Sequence, residues 1–217
     1  MGPPKLATNI VTALVLLSYS SGSHIDGAKP KTPLPAATYQ KVNLSVYYES
    51  LSKPCVTFIV NNLREIFNNR LIKIVNLQLV PWANAHFNST TNSITCQNGP
   101  DECERSSYEA CALNTFPTVD QQYRLISCFE NPPIEPNCFE VLGLSKEPIL
   151  KCLINSGNGT ELGKKYIKEI AQLNPPPSFV PWVLVNNQPI KQDYANFTHY
   201  VCKTYKGVDV PAVCSSV

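Results

Sequence analysis

Ser52-Lys53-Pro54-Cys55 is the stretch of this 217-residue chain whose residue types and spacing come nearest to a reactive centre. It stands where an apolar strand, Val42 to Tyr48, gives way to a segment of helical periodicity. Two cysteines at this spacing and in this setting make a dithiol redox centre. Here serine holds the first position, and one sulfur is left. In thiol–disulfide exchange a thiolate attacks a substrate sulfur, and a second thiol resolves the mixed disulfide that forms. A serine hydroxyl has no comparably accessible anion, so Ser52 does not stand in for the attacking thiol. Cys55 occupies the resolving position, one helical turn further in. The helix N-terminus and Lys53 favour its thiolate, whereas burial raises its pKa and blocks large substrates. Three readings of the pair stay open. Ser52 can be a helix N-cap and Cys55 a small core residue. Cys55 can be a monothiol that forms mixed disulfides without releasing them. Or a cysteine elsewhere, or glutathione, supplies the missing thiol.

The cysteine count points to the same residue. Nine cysteines fall at positions 55, 96, 103, 111, 128, 138, 152, 202 and 214. An odd number leaves at least one thiol free or bonded to another chain, so a disulfide-linked dimer stays open. Setting Cys55 aside leaves eight, enough for four bridges. Cys202 and Cys214 bracket a short C-terminal loop and are expected to form one of them. A zinc site at Cys96, Cys103 and Cys111 is disfavoured, because these residues lack the paired Cys-x-x-Cys knuckles of structural zinc sites.

The N-terminus reads as a secretory signal over residues 1–23. Lys5 supplies the positive region, Ile10 to Leu17 the apolar one, and Ser18 to Ser23 the small residues of a cleavage site. The apolar run falls well short of the ~20 residues a spanning helix needs. No membrane contact is therefore expected after cleavage. Sequons at Asn43, Asn88, Asn158 and Asn196 fit the same route, Asn43 being least suited because it lies inside a strand. The expected destination is the lysosome or vacuole, or the extracellular space. Residues 24–40 are rich in Pro, Ala and Thr and read as a flexible leader. A net charge of +2, with both signs interspersed, gives no sign of a nucleic-acid footprint, and none is expected. There is no Gly-rich phosphate loop and no Gly-x-Ser-x-Gly elbow. His24, His86 and His199 are dispersed. No metal or cofactor is expected.

These residues need a frame to position them. Lys41 to Tyr48 alternates as a strand should. Val56, Ile59, Val60, Leu63, Ile66 and Phe67 follow at helical spacing over Cys55 to Asn69. Leu71 to Val80 is a second strand, apolar enough to suit a central parallel position. Residues 82–155 then break the pattern. They hold six of the nine cysteines and short helical stretches such as Gln121 to Phe129 and Pro148 to Ile154. Leu162 to Leu173 marks a further amphipathic helix. Phe179 to Val185 reads as a strand, Asn186-Asn187 as a hairpin turn, and Tyr194 to Tyr205 as a closing helix. This order is an α/β, thioredoxin-like fold over residues 41–214, with a disulfide-stapled, mostly helical insertion at about 82–155.

On its residues the chain resembles the gamma-interferon-inducible lysosomal thiol reductase family. The resemblance rests on Tyr47-Tyr48-Glu49-Ser50-Leu51 before the motif and on Cys96-Gln97-Asn98-Gly99-Pro100-Asp101-Glu102-Cys103 continuing to Cys111. Val180-Pro181-Trp182, Pro81-Trp82 and Tyr194 to Tyr200 add to it. It covers roughly residues 40 to 214. The resemblance implies a thioredoxin-fold enzyme that reduces protein disulfides. It also implies a cis-proline at Val180-Pro181, whose neighbouring backbone binds an extended substrate. The family's active pair is Cys-x-x-Cys, and this chain departs from it at Ser52. Asn98 also replaces the more usual histidine. The expectation is thus a member of a disulfide-reductase family whose degenerate Ser52-x-x-Cys55 motif impairs or abolishes dithiol activity. Its partners would be disulfide-containing or extended polypeptides. The alternatives are a non-catalytic polypeptide-binding module and a plain disulfide-stapled structural protein.

Overall fold

A computed structural model of the chain describes Gly2, residues 39–131 and residues 137–216. The expected signal segment, apart from Gly2, and the expected leader up to residue 38 lie outside the described residues. The first strand, β1 (Val42–Tyr47), runs into α1 (Lys53–Thr57), a π turn (Phe58–Asn62), α2 (Glu65–Asn68) and then β2 (Val75–Val80). β1 and β2 pair in parallel, from Val42 opposite Val75 to Tyr47 opposite Val80.

The expected single helix over Cys55 to Asn69 is broken in its middle. The Leu63 N–H reaches back five residues to the Phe58 carbonyl at 2.8 Å. One π turn rotates the later residues so that Phe58, Ile59, Leu63 and Ile66 all reach the core. The Ile59 carbonyl receives the Tyr123 hydroxyl at 3.1 Å. The second strand also starts later than expected. Leu71–Lys73 is a 3₁₀ turn that follows Arg70 in a left-handed conformation, and the extended run begins at Val75.

The insertion carries a small hairpin that the pattern did not announce, β3 (His86–Asn88) with β4 (Ser93–Thr95). Five helices follow: α3 (Pro100–Thr115), α4 (Val119–Phe129), α5 (Cys138–Leu142), α6 (Glu147–Asn155) and α7 (Thr160–Ala171). Bridges Cys96–Cys103, Cys111–Cys152 and Cys128–Cys138 staple it. The chain returns to the sheet as β5 (Trp182–Val185), turns through Asn186 and Asn187, both at positive φ, and pairs back as β6 (Gln188–Pro189). A 3₁₀ segment (Lys191–Asn196) and α8 (Phe197–Thr204) close the domain, tied to the C-terminus by Cys202–Cys214 as expected.

The sheet order is β2-β1-β5-β6, with β5 antiparallel to β1. β2 is therefore an edge strand, not the central one its composition suggested. Its Asn76 and Gln78 are exposed on one face, where Gln78 bonds Ser45 and Glu169. The strand alternation divides the core. Leu44, Val46, Leu77, Leu79, Val183 and Val185 face Phe58, Phe197 and Val201 of the π turn and α8. Tyr47, Val80, Trp182 and Leu184 face Tyr166 and Ile170 of α7. The result is helix, sheet, helix, with the motif at the C-terminal end of β1.

Candidate functional site

Ser52 occupies the N-cap position of α1, with extended backbone, but its hydroxyl makes no capping hydrogen bond. The turn is held by backbone instead. Ser52 N–H donates to Glu49 O at 3.3 Å, and Val56 N–H donates to Ser52 O at 2.8 Å. Pro54 in the first turn presets helical φ where an N–H would lack a partner anyway. Ser52 is half-buried. Leu51, beside it, is exposed and sits at positive φ.

Cys55 is the free cysteine among the described residues, and it is 0% exposed. It packs in the main core cluster with Tyr48, Phe58 and Ile59. Burial pushes its thiol up to about 12, and the negative charges of Glu49 and Glu130 act the same way. The Glu49 backbone and the Ser52 hydroxyl oppose the shift without overcoming it. The balance left open by the sequence therefore falls to burial. A five-residue helix gives little dipole to set against it.

The Val180–Pro181 peptide bond is cis, as the resemblance implied. Pro181 is buried, and Val180 packs against the cluster that contains Cys55. A run of rings connects this segment to the motif helix. Phe179 meets Trp182 at 5.2 Å and Tyr194 at 6.2 Å, and Tyr194 meets Phe58 edge-on at 5.6 Å. Tyr194 and Phe58 also line an open groove of about 410 Å³, together with Lys53, Pro54 and Thr57. Ser52, Cys55, Val180 and Pro181 thus gather at one end of the sheet.

The Cys96 to Cys103 run bends the chain into α3. Its ends are bonded to each other, and Gly99, at φ 95°, stands before Pro100 where a side chain would be strained. Cys96, Cys103 and Cys111 are all in disulfides, so none of the three is a free thiolate. The sequons are spread around the domain. Asn88, Asn158 and Asn196 are exposed; Asn43, on β1, is half-buried and accepts a hydrogen bond from Asn76 at 3.0 Å.

Sequence reasoning missed four acidic side chains around the motif. Glu49, Glu102, Glu109 and Glu130 are each no more than 2% exposed. Glu109 accepts from Ser50 Oγ at 2.8 Å, Glu130 from Leu51 N–H at 3.1 Å, and Glu102 from Asn98 N–H at 2.6 Å. Burial first, then the Glu102 charge, raises Glu49 to about 7. Glu49 and Glu102 did lie inside the two segments that carried the family resemblance. That was the available signal.

A thioredoxin-like domain with one unpaired thiol at the active-motif position defines the class: a thiol–disulfide oxidoreductase fold. The family model of gamma interferon inducible lysosomal thiol reductase (GILT) matches residues 43–154. A gamma-interferon-responsive lysosomal thiol protein of Arabidopsis thaliana is 36% identical over 188 residues, 84% of this chain and 79% of the relative. The gamma-interferon-inducible lysosomal thiol reductase of Mus musculus is 33% identical over 200 residues, 88% of this chain and 77% of the relative. Among solved structures, DsbA of Chlamydia trachomatis superposes with a TM-score of 0.54 at 15% identity, covering 85% of this chain and 96% of that one. The reduced disulfide bond oxidoreductase DsbG of Mycobacterium tuberculosis gives 0.56 at 16%, covering 87% and 86%. At such identities the likeness concerns the thioredoxin-like fold alone. The chain belongs to the gamma-interferon-inducible lysosomal thiol reductase family.

Proposed function

We propose that this family member has lost dithiol turnover and keeps the groove beside the motif as a binding site for extended, disulfide-containing polypeptides. The observation that carries the reading is the pairing of Ser52 with a sealed Cys55 whose thiol is pushed up to about 12. Full reduction of a substrate disulfide needs two sulfurs. The first thiolate bonds to one substrate sulfur and expels the other as a thiolate. The second thiol then attacks the mixed disulfide, releases the remaining substrate thiol and leaves the enzyme pair oxidised. With oxygen at position 52 neither bond can form there. At pH 5 to 7 a thiol pushed up to about 12 is almost wholly protonated, and only the thiolate is nucleophilic.

The groove lined by Phe58, Tyr194 and Pro54 supports the binding half of the reading. The same end of the sheet holds Val180 and Pro181, whose adjacent backbone would dock an extended strand by main-chain hydrogen bonds. The chain is read as entering the secretory route by cleavage of residues 1–23, carrying glycans at Asn88, Asn158 and Asn196, and reaching the lysosome or the exterior. The half-buried Asn43, whose side chain is already bonded, is expected to stay unmodified.

The test is a multiple-turnover assay of the purified mature protein on a disulfide-bonded polypeptide, with excess small-thiol reductant at mildly acidic pH. The expected rate equals that of the Cys55→Ala variant and of buffer. Turnover that Cys55→Ala abolishes would overturn the proposal.

A further inference from the structure

We propose that Glu49 beside Glu102, and Glu109 beside Glu130, each keep a buried proton that clamps the loop over Cys55 in acid and whose loss loosens it at neutral pH. The inference holds whether or not the protein turns over disulfides.

The two pairs come from three places in the chain. Glu49 follows β1, Glu102 and Glu109 lie on α3, and Glu130 caps the end of α4. The other groups facing them do not neutralise four charges. Tyr48 stands beside Glu109, and Tyr166 of α7 faces Tyr48. Cys55 of α1 lies near Glu49 and Glu130. Arg105 of α3 spends its guanidinium on the Phe129 carbonyl at 2.7 Å and the Phe129 ring at 5.6 Å. Lys53 on α1, Asp101 and Glu104 on α3, and Lys151 on α6 are exposed. The ion pairs among the described residues are Arg64–Glu65, Arg124–Asp120 and Lys164–Glu161, none of which touches the cluster. No group of three His, Cys, Asp or Glu among the described residues is arranged to hold a metal.

A second observation fits a proton as the missing ligand. Glu49 Oε1, Glu102 Oε1 and Glu109 Oε1 are buried without a hydrogen-bond partner, and so is the Tyr48 hydroxyl. An ionised carboxylate only accepts, so two facing carboxylates cannot bond to each other. One proton per pair converts an oxygen of one partner into a donor for the other. Glu102 is the carboxyl that acts on Glu49, alongside the side chains of Asn84 and Ser52, and Glu130 the one that acts on Glu109, alongside Ser50 and Tyr48. Shared protons would satisfy these oxygens and halve the buried charge.

The loop between β1 and α1 hangs on these groups. Ser50 Oγ donates to Glu109 and Leu51 N–H to Glu130, while Ser106 Oγ lies 2.9 Å from Ser50 Oγ. Ionising both members of a pair in a dry site sets like charges against each other beneath this loop.

The sign follows from linkage. Burial, then the partner charge, raises Glu49 from 4.5 to about 7, and burial raises Glu109 well above the usual carboxylate range. Burial also raises Glu102. The folded state therefore holds more protons than the unfolded state between these limits, and its stability is greatest below pH 4.5. Stability falls as pH rises toward 7. For Glu49 alone the unfolding equilibrium constant rises on the order of 100-fold over that span, at about tenfold per pH unit for one proton.

The experiment is urea unfolding of the mature protein with its disulfides intact, from pH 4.5 to 7.5, beside Glu49→Gln, Glu109→Gln and the exposed control Glu147→Gln. The unmodified protein and the control should lose stability toward neutral pH, and each cluster variant, which keeps one pair, should lose less. Slopes in the cluster variants equal to that of the unmodified protein would overturn the proposal. Infrared absorption of the unmodified folded protein at pH 6 gives a readout that needs no variant. It should show protonated carboxylic acid that disappears on unfolding at the same pH, and its absence would also contradict the clamp.

Discussion

The sheet end of the molecule and the helical insertion use sulfur in opposite ways. In the insertion, Cys96, Cys103, Cys111, Cys128, Cys138 and Cys152 are all bonded in pairs, and Cys111, Cys128, Cys138 and Cys152 pack with Leu125, Phe139 and Ile149 in a core of their own. At the sheet end, Cys55 lies among Tyr48, Phe58 and Ile59 with no second cysteine in its motif. Sulfur in the first region staples one segment to another, over separations from 7 to 41 residues. Sulfur in the second would make a dithiol centre only with a second thiol at the neighbouring motif position, and that position holds serine. What separates a staple from a redox centre is therefore which residue stands next to the thiol, and how dry the site is.

Restoring the neighbour should produce the largest effect. Ser52→Cys places a half-exposed thiol ahead of Cys55, and disulfide-reductase turnover should rise from background to multiple turnovers at mildly acidic pH. No gain would mean that the rest of the motif's surroundings no longer supports exchange, and the contrast between the two regions would not rest on one atom. Removing a staple comes next. Cys111→Ala with Cys152→Ala opens a 41-residue separation between α3 and α6 and should cost about 4 kcal/mol in urea unfolding. Removing Cys202 and Cys214 together, 12 residues apart, should cost less, about 2–3 kcal/mol. A larger loss there than in the insertion would reverse the ordering. Smallest of all, Cys55→Ala should lower stability by only about 1 kcal/mol, because a small apolar side chain replaces another in the same packing. A loss as large as that of a bridge would give Cys55 a structural role as great as the paired sulfurs.

Much of the frame was legible because it follows from periodicity. The alternation of Val42 to Tyr47, the apolar face of Leu162 to Ile170, and the Asn186-Asn187 turn each declare themselves through side-chain pattern or tolerance of positive φ. The Cys202–Cys214 bridge was legible from its short loop. Helix α3 was not, because its buried positions include Glu102, Ser106, Ser107 and Glu109, so no apolar stripe marks it. The edge position of β2 was misread because Val75, Leu77, Leu79 and Val80 resemble a strand covered on both faces. Pairing partners, which composition does not encode, decide that question. The π turn escaped for a similar reason: it conserves the apolar spacing to within one residue.

At the candidate site, Ser52, Cys55 and Val180-Pro181 were singled out from sequence, and the fold brings them to one end of the sheet. The carboxylates around them were not. A glutamate reads as a surface residue unless its burial is known, and burial here is created by the insertion folding onto the loop after β1. Glu109 and Glu130 come from that insertion, 60 and more positions beyond Glu49 in sequence.

The central claim is that the one free thiol is sealed and alone. Labelling with dipyridyl disulfide, which reacts with thiols even in acid, tests it most directly. At pH 5 the folded protein should take up no label over hours, whereas the protein unfolded in urea with its bridges intact should take up one label, at Cys55. Rapid stoichiometric labelling of Cys55 in the folded protein would contradict the account.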